Sequence, residues 1–239
     1  MEYAHNNRGH LPSMAHPRKN GYCPVVARIA LALPLGASLI SCSGQSQEEQ
    51  KLATRTSAAV CAGALDSPAR AALERVTGAK EFREPSPRNP ESAAKDMTSR
   101  DADGGFTDSC IVESSPSDSK HVSVSISFTR DSDTFSTEKN DPHRTQAWTM
   151  FPLGKRAKTT RGAGHLVFEC PVETSKLSTP VISGHLGVYP RESAINPHDM
   201  MTILNAVSRE VAKEIGCSAE AKLPAKTPHT TETWPAGKG

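Results

Sequence analysis

The fold is decided by one stretch of sequence, Asn196-Pro-His-Asp-Met-Met-Thr-Ile-Leu-Asn-Ala-Val-Ser-Arg-Glu-Val-Ala-Lys-Glu-Ile-Gly-Cys217. It begins with an N-capping asparagine, a first-turn proline and a first-turn acid, the signals of a helix start. Apolar residues then recur at three- and four-residue spacing, at Met200, Ile203, Leu204, Val207, Val211 and Ile215. Gly216 supplies the left-handed stop. The stretch therefore predicts a long amphipathic helix whose apolar face must be covered by another layer.

A second helix is predicted earlier in the chain, from Leu65 to Gly78. Asp66 or Ser67 can cap its first amides, and Pro68 suits the first helical position. Leu65, Ala69, Ala72, Leu73 and Val76 form a modest apolar stripe.

The residues between the two helices favour β-strands. Val122–Phe128 alternates apolar residues with serine, which is typical of a strand with one buried face. Further strands are predicted at Ile111–Glu113, Gln146–Phe151, Gly164–Cys170 and Val181–Tyr189, with loops at Glu84–Asp108, Arg130–His143 and the basic segment Gly154–Gly162. We therefore expect an α+β domain: an antiparallel sheet packed by an N-terminal and a C-terminal helix.

Four cysteines belong to this domain: Cys61, Cys110, Cys170 and Cys217. Four cysteines in an exported domain suggest two disulfides with three possible pairings. A zinc site is the alternative, although the C-x-x-C spacing typical of structural zinc sites is missing. We predict Cys61–Cys110 and Cys170–Cys217, which cross-link each half of the chain separately.

The N-terminal region has the features of an export signal. The positive residues Arg18, Lys19 and Arg28 precede an apolar run, Ile29–Ile40, that is too short to span a bilayer. The run ends in Leu39-Ile40-Ser41-Cys42, which resembles the bacterial lipobox. The resemblance implies that Cys42 is diacylated and becomes the first residue of the mature protein; an ordinary cleaved secretory signal is the alternative.

These signals divide the chain into four parts. We predict a signal peptide at residues 1–41, a flexible tether at 42–59, the disulfide-linked α+β domain at 60–223 and a disordered tail at 224–239. Translation starts at Met1 or at Met14, which is followed by a more typical signal sequence.

Charge argues against nucleic-acid binding. The chain has a formal net charge of +2, but four of its 28 basic residues and one of its 26 acidic residues lie in the predicted signal peptide. The mature chain therefore carries 24 basic against 25 acidic residues. Nucleic-acid binding depends on clustered lysine and arginine, so we expect no nucleic-acid partner.

No catalytic motif is present in the sequence. A Gly-x-Ser-x-Gly nucleophile elbow is missing, and the nearest phrase pairs Ser183 with His185 in one strand. His121, His165 and His185 could converge on a metal, but we expect partly exposed residues at strand ends. The acidic residues Asp96, Asp101, Asp103 and Asp108 lack the spacing of a calcium loop. We therefore predict no catalytic residue, no metal and no cofactor.

Two polar surfaces remain as candidate contacts. Lys155, Arg156, Lys158 and Arg161 form a basic cluster that could touch anionic head groups or wall polymers, although solvation alone explains such a cluster. Ser123, Ser125 and Ser127 form a row of hydroxyls on the strand face away from the C-terminal helix, a possible platform for a partner or simply a wet face.

Several of these residues carry a family resemblance. Cys61-Ala-Gly-Ala-Leu65-Asp66, the helix ending in Gly78, Cys110 opening a strand, and Ile215-Gly216-Cys217 resemble small secreted actinobacterial lipoproteins. The front half is similar to DUF3558-type lipoproteins and, more weakly, to the extracellular sensor domains of PknH-type kinases. The resemblance implies a non-catalytic module at the cell membrane that binds an envelope ligand or protein partner. An envelope hydrolase and a wall-associated scaffold protein are the alternatives.

Overall fold

The predicted C-terminal helix is confirmed as α3, Pro197–Ile215. The structure, a computed structural model, describes residues 53–99, 105–115, 121–131, 146–172, 181–191 and 195–236. The Asn196 side chain caps α3 by accepting a hydrogen bond from the His198 amide at 2.9 Å. Gly216 ends it with a φ of 91°. No helix within the described ranges is long and apolar enough to cross a membrane.

Two further helices pack beside α3. The predicted N-terminal helix is α1, Ser67–Thr77, capped by the Asp66 carboxylate and closed by Gly78. The segment predicted as a loop at 84–108 contains α2, Pro90–Thr98, so that prediction was wrong. Asn89 and Ser92 form a reciprocal capping box at the start of α2, which supplies the local signal for this helix. A short helix, α4 (Ser218–Ala221), follows α3.

In the described part of the chain, nine strands form one antiparallel sheet in the order β1-β2-β3-β4-β8-β7-β6-β5-β9. Their bounds are β1 Arg55–Thr56, β2 Glu81–Arg83, β3 Thr107–Ser114, β4 Ser123–Asp131, β5 Trp148–Phe151, β6 Arg156–Thr160, β7 Ala163–Glu169, β8 Val181–Tyr189 and β9 Glu232–Trp234. The α+β class and the antiparallel sheet are therefore as predicted.

The basic segment also differs from the sequence prediction. The basic segment Gly154–Gly162 is not a loop, because it contains β6, and its two glycines form turns at φ 58° and 73°. A Cβ on Gly154 would lie 2.4 Å from the Val167 carbonyl oxygen, so this turn requires glycine.

Both chain ends of the domain also add strands. The predicted tether 42–59 contributes β1, and the predicted disordered tail 224–239 contributes β9, which pairs with β5. These two segments form strands because each pairs with the free backbone groups at an edge of the sheet. Their residue composition gives no sign of that pairing. The predicted signal peptide and Cys42 lie outside the described residues, as does most of the predicted loop 130–143.

Both predicted disulfides are confirmed. Cys61 is bonded to Cys110 and Cys170 to Cys217, each with a Cα–Cα distance of 5.2 Å. The second bond joins Cys170, directly after β7, to Cys217, directly after the Gly216 that ends α3, so it fixes the helix to the sheet. All four cysteines are buried.

The two faces of the sheet differ. We call the face that carries the helices the first face: α3 lies over β6, β7 and β8, and α2 lies over β3 and β4. Gly164 and Gly184 let α3 come close, since a Cβ on either would lie within 3.5 Å of a Leu204 methyl group. Side chains alternate along a strand, so Ser123, Ser125 and Ser127 point to the opposite side, which we call the second face. Their predicted orientation is confirmed, but they are half-buried instead of fully wet.

The close approach of α3 predicts unequal responses at two glycines of β8. In Gly184→Ala the new Cβ would lie 2.8 Å from a Phe128 ring carbon, so we expect the free energy of unfolding to fall by about 1–3 kcal/mol. Gly187→Ala, on the second face, meets the Ser125 hydroxyl at 3.2 Å and should change it by less than about 1 kcal/mol. Urea denaturation measures both. Equal destabilisation would contradict the proposed helix packing.

Candidate functional site

A row of polar side chains crosses the second face. Ser127 on β4 pairs with His185 on β8, His185 with His165 on β7, and His165 with Lys158 on β6. Residues paired across strands lie on the same face, so the four side chains stand side by side on four adjacent strands. The imidazole centroids of His165 and His185 are 4.5 Å apart.

Next to this row the second face is hollow. Ser125, Gly187, Ala163 and Thr160 occupy the neighbouring paired positions on the same four strands, and their side chains are small. A depression of about 300 Å³ results, lined by these residues and by the polar row. That volume is at the lower end of the range of small-molecule sites. Four strands, β4, β6, β7 and β8, thus contribute hydroxyls, imidazoles and a glycine floor to one concave surface.

His165 is held in its neutral form. It is only 6% exposed, and burial together with repulsion from His185 and Lys158 lowers its pKa from 6.5 to about 3. A neutral imidazole offers one N–H donor and one acceptor nitrogen. His165 therefore cannot serve as a cationic anchor at physiological pH.

The charge of Lys158 is directed at an aromatic ring. Its Nζ lies 3.4 Å from the centroid of the Trp148 ring, a cation–π geometry. Trp148 in turn stacks on Trp234 of β9, with ring centroids 6.0 Å apart. The C-terminal strand thus helps to fix the lysine at the end of the polar row.

Aromatic side chains stand at both ends of the depression along β8. His185, Gly187 and Tyr189 occupy alternate positions of that strand, and the Phe106 ring packs edge-on against His185 at 5.0 Å. Phe106 and Tyr189 are 67% and 53% exposed, and they are the two large apolar side chains with high exposure among the described residues. The Arg191 guanidinium carbon lies 5.6 Å from the centroid of the Tyr189 ring.

The structure places the candidate histidines, and the serine beside one of them, at positions that differ from the prediction. His165 and His185 come together, whereas His121 is exposed ahead of β4. The expectation of partly exposed strand-end histidines was wrong for His165, which is buried in the middle of β7. Ser183 shares a face with His185, as residues two apart in a strand do, but its side chain is buried, with 1% exposure.

One group of potential metal ligands occurs in the described ranges: Cys61, Glu84 and Cys110. Both thiols are consumed by the disulfide, and Glu84 Oε1 accepts a hydrogen bond from the Cys61 amide at 2.7 Å. We therefore assign this cluster a structural role: the two cysteines form the disulfide, and Glu84 holds the backbone beside it.

A larger recess of about 480 Å³ lies between the end of α1 and the start of α3. Its charged residues bind each other: Arg75 Nη2 and Nε donate to the two carboxylate oxygens of Asp199 at 2.6 and 3.0 Å. This bidentate bond raises the pKa of Arg75. We assign the pair a structural role in joining α1 to α3, as Asp66 and Arg209 do further along the same helices.

Comparisons of the chain with models of protein families, with curated proteins and with solved structures find no match. The resemblance to DUF3558-type lipoproteins and PknH-type sensor domains thus stays a prediction from the residues.

The sequence singles out Ser125 and Ser127, but it does not place Lys158, Trp148 and Gly187 beside them. A signal for the lysine exists. Gly154 and Gly162 frame a short segment whose Ala157 and Thr159 alternate with Arg156, Lys158 and Thr160, the pattern of a strand between two turns.

The lowered pKa of His165 predicts a pH-dependent stability. Because the unfolded chain takes up the proton more readily, the stabilisation is present above pH 6.5 and is lost as the pH falls towards about 3. Between pH 7.5 and pH 5 the wild type should lose about 2 kcal/mol relative to His165→Gln. Chemical denaturation across this range measures it, with the exposed His121→Gln as control. Parallel curves for wild type and His165→Gln would contradict the prediction.

Proposed function

We propose that this protein is a non-catalytic binding module held at the outer face of the cell membrane by a lipid on Cys42. The observation that carries the binding role is the depression on the second face, where hydroxyls and imidazoles line one concave surface beside two exposed aromatic rings. Concave surfaces with a few convergent polar groups are the usual sites of ligand binding.

The disulfides support an extracytoplasmic location. Both bonds are buried and both join segments nearly 50 residues apart in sequence, as in exported domains that rely on covalent support. Disulfides persist in oxidising compartments and are rare in the cytosol. The lipobox-like Leu39-Ile40-Ser41-Cys42 supplies the membrane anchor in this proposal.

A binding role fits the described groups better than hydrolysis does. The buried Ser183 hydroxyl has no strained, exposed turn to activate it as a nucleophile, and His165 is neutral and buried. The second-face residues instead offer fixed donors, acceptors and ring surfaces. We therefore assign them to recognition.

The anchor is tested by Cys42→Ala. We expect the variant to appear in the medium or to accumulate as unprocessed precursor, because the thiol that accepts the lipid is lost. Detergent-phase partitioning and metabolic labelling with a fatty acid measure this, with Cys23→Ala as the matched control. An unlabelled wild-type protein with an unchanged membrane fraction in Cys42→Ala would refute the anchor.

The binding role is tested with cell envelopes from which lipids have been extracted by detergent. The Cys42→Ala chain should sediment with them, and addition of Gly187→Val should lower the bound fraction at least about fivefold, because the new side chain fills the depression. Ser123→Ala is the control: it lies on the same strand face but does not line the depression. Equal sedimentation of the Gly187→Val and Ser123→Ala chains would place binding elsewhere and overturn the proposal.

A further inference from the structure

We propose that the depression on the second face binds an uncharged sugar unit of an envelope polysaccharide. This inference rests on the proposed binding function and specifies its ligand class. Three properties of the depression carry it: its hydrogen-bonding groups, its aromatic borders and the direction of its charge.

The hydrogen-bonding groups match hydroxyls. Ser125 and Ser127 make no hydrogen bond to another residue within the described part of the chain, and both line the depression. A hydroxyl donates one hydrogen bond and accepts others. A ligand made of hydroxyls can satisfy such a set in either direction, whereas a carboxylate or phosphate only accepts.

The aromatic borders match the apolar faces of a sugar ring. Phe106 and Tyr189 stand at opposite ends of the β8 line that runs through His185 and Gly187. Alternate residues of a strand are about 6.8 Å apart, so the space between the borders suits one or two rings. Aromatic rings offer a large apolar contact area, and both highly exposed ones among the described residues flank the same hollow.

The depression carries little formal charge. Lys158 is the one charged residue among those lining it, and its ammonium lies against the Trp148 ring. His165 is neutral and adds no positive charge. A neutral, polyhydroxylated ligand is therefore the occupant that the surroundings fit best.

The floor depends on Gly187. A Cβ there would lie 3.2 Å from the Ser125 hydroxyl and 3.4 Å from a Tyr189 ring carbon. A side chain larger than a methyl group at position 187 would occupy the space that a sugar ring needs. The backbone of Gly187 is ordinary strand, so substitution fills the hollow without backbone strain.

Saturation-transfer NMR on the purified full chain carrying Cys42→Ala tests the inference, with cellobiose, mannobiose and N,N′-diacetylchitobiose as probes. We expect transfer to at least one disaccharide, no detectable transfer in Gly187→Val, and an about tenfold higher Kd in the double variant Ser125→Ala/Ser127→Ala. Ser123→Ala should bind as the parent does. Thermal unfolding shows that each variant is folded, and the double alanine variant decides the matter if Gly187→Val does not fold.

Absence of transfer to all three disaccharides, or equal transfer in Gly187→Val and Ser123→Ala, would overturn the inference. Inorganic phosphate serves as an anionic probe: binding that depends on Gly187 without disaccharide binding would also overturn it. In that case Gly187-dependent sedimentation with extracted envelopes would still support the binding module. Failure of both experiments would refute the module as well.

Discussion

The close contact between α3 and the sheet is the constraint on which the rest of the structure depends. Leu204 reaches the sheet because Gly164 and Gly184 present no side chain beneath it. Once the first face is filled in this way, the alternation of each strand sends its remaining side chains to the second face. The side chains of the polar row and the depression therefore lie on the second face because their strand neighbours are packed against α3 on the first face.

The elements that the sequence predicts correctly are those specified by local signals. The helix α3 has a cap, a proline start, a periodic apolar face and a glycine stop, and β4 has strict alternation of apolar residues and serine. The domain has only four cysteines, and each is bonded to a neighbour in sequence order, the first to the second and the third to the fourth. Such signals need no knowledge of distant partners.

The elements that the sequence does not predict depend on tertiary contacts. The buried side of α2 consists mainly of Ala93, Ala94 and Met97, too little apolar surface to stand out among the polar residues around it. The strands β6 and β9 are held by pairing with β7 and β5, and their composition is that of a loop. The intrinsic strand propensity of such segments is weak, so pairing with a neighbouring strand determines their secondary structure.

The candidate site was only partly predictable for the same reason. The serines of β4 are visible in the sequence, but their neighbours His185, His165 and Lys158 come from strands whose spatial order, β4-β8-β7-β6, departs from chain order. Burial, and hence the low pKa of His165, arises only when these strands assemble. Sequence periodicity predicts which face of the sheet a side chain occupies. Its neighbours on other strands depend on the strand order, which periodicity does not predict.

The sheet order also sets a distance. Strands β1 and β9 finish the two edges, so the described chain enters the sheet at one edge and leaves it at the other, eight strand spacings or about 38 Å away. A linker attached ahead of Arg55 would hold the domain by its β1 edge. The strands of the depression, the fourth to the seventh from that edge, would then stand about 14–29 Å from the point of attachment. The fold acts in this respect as a spacer of fixed length, built from strands instead of from flexible chain.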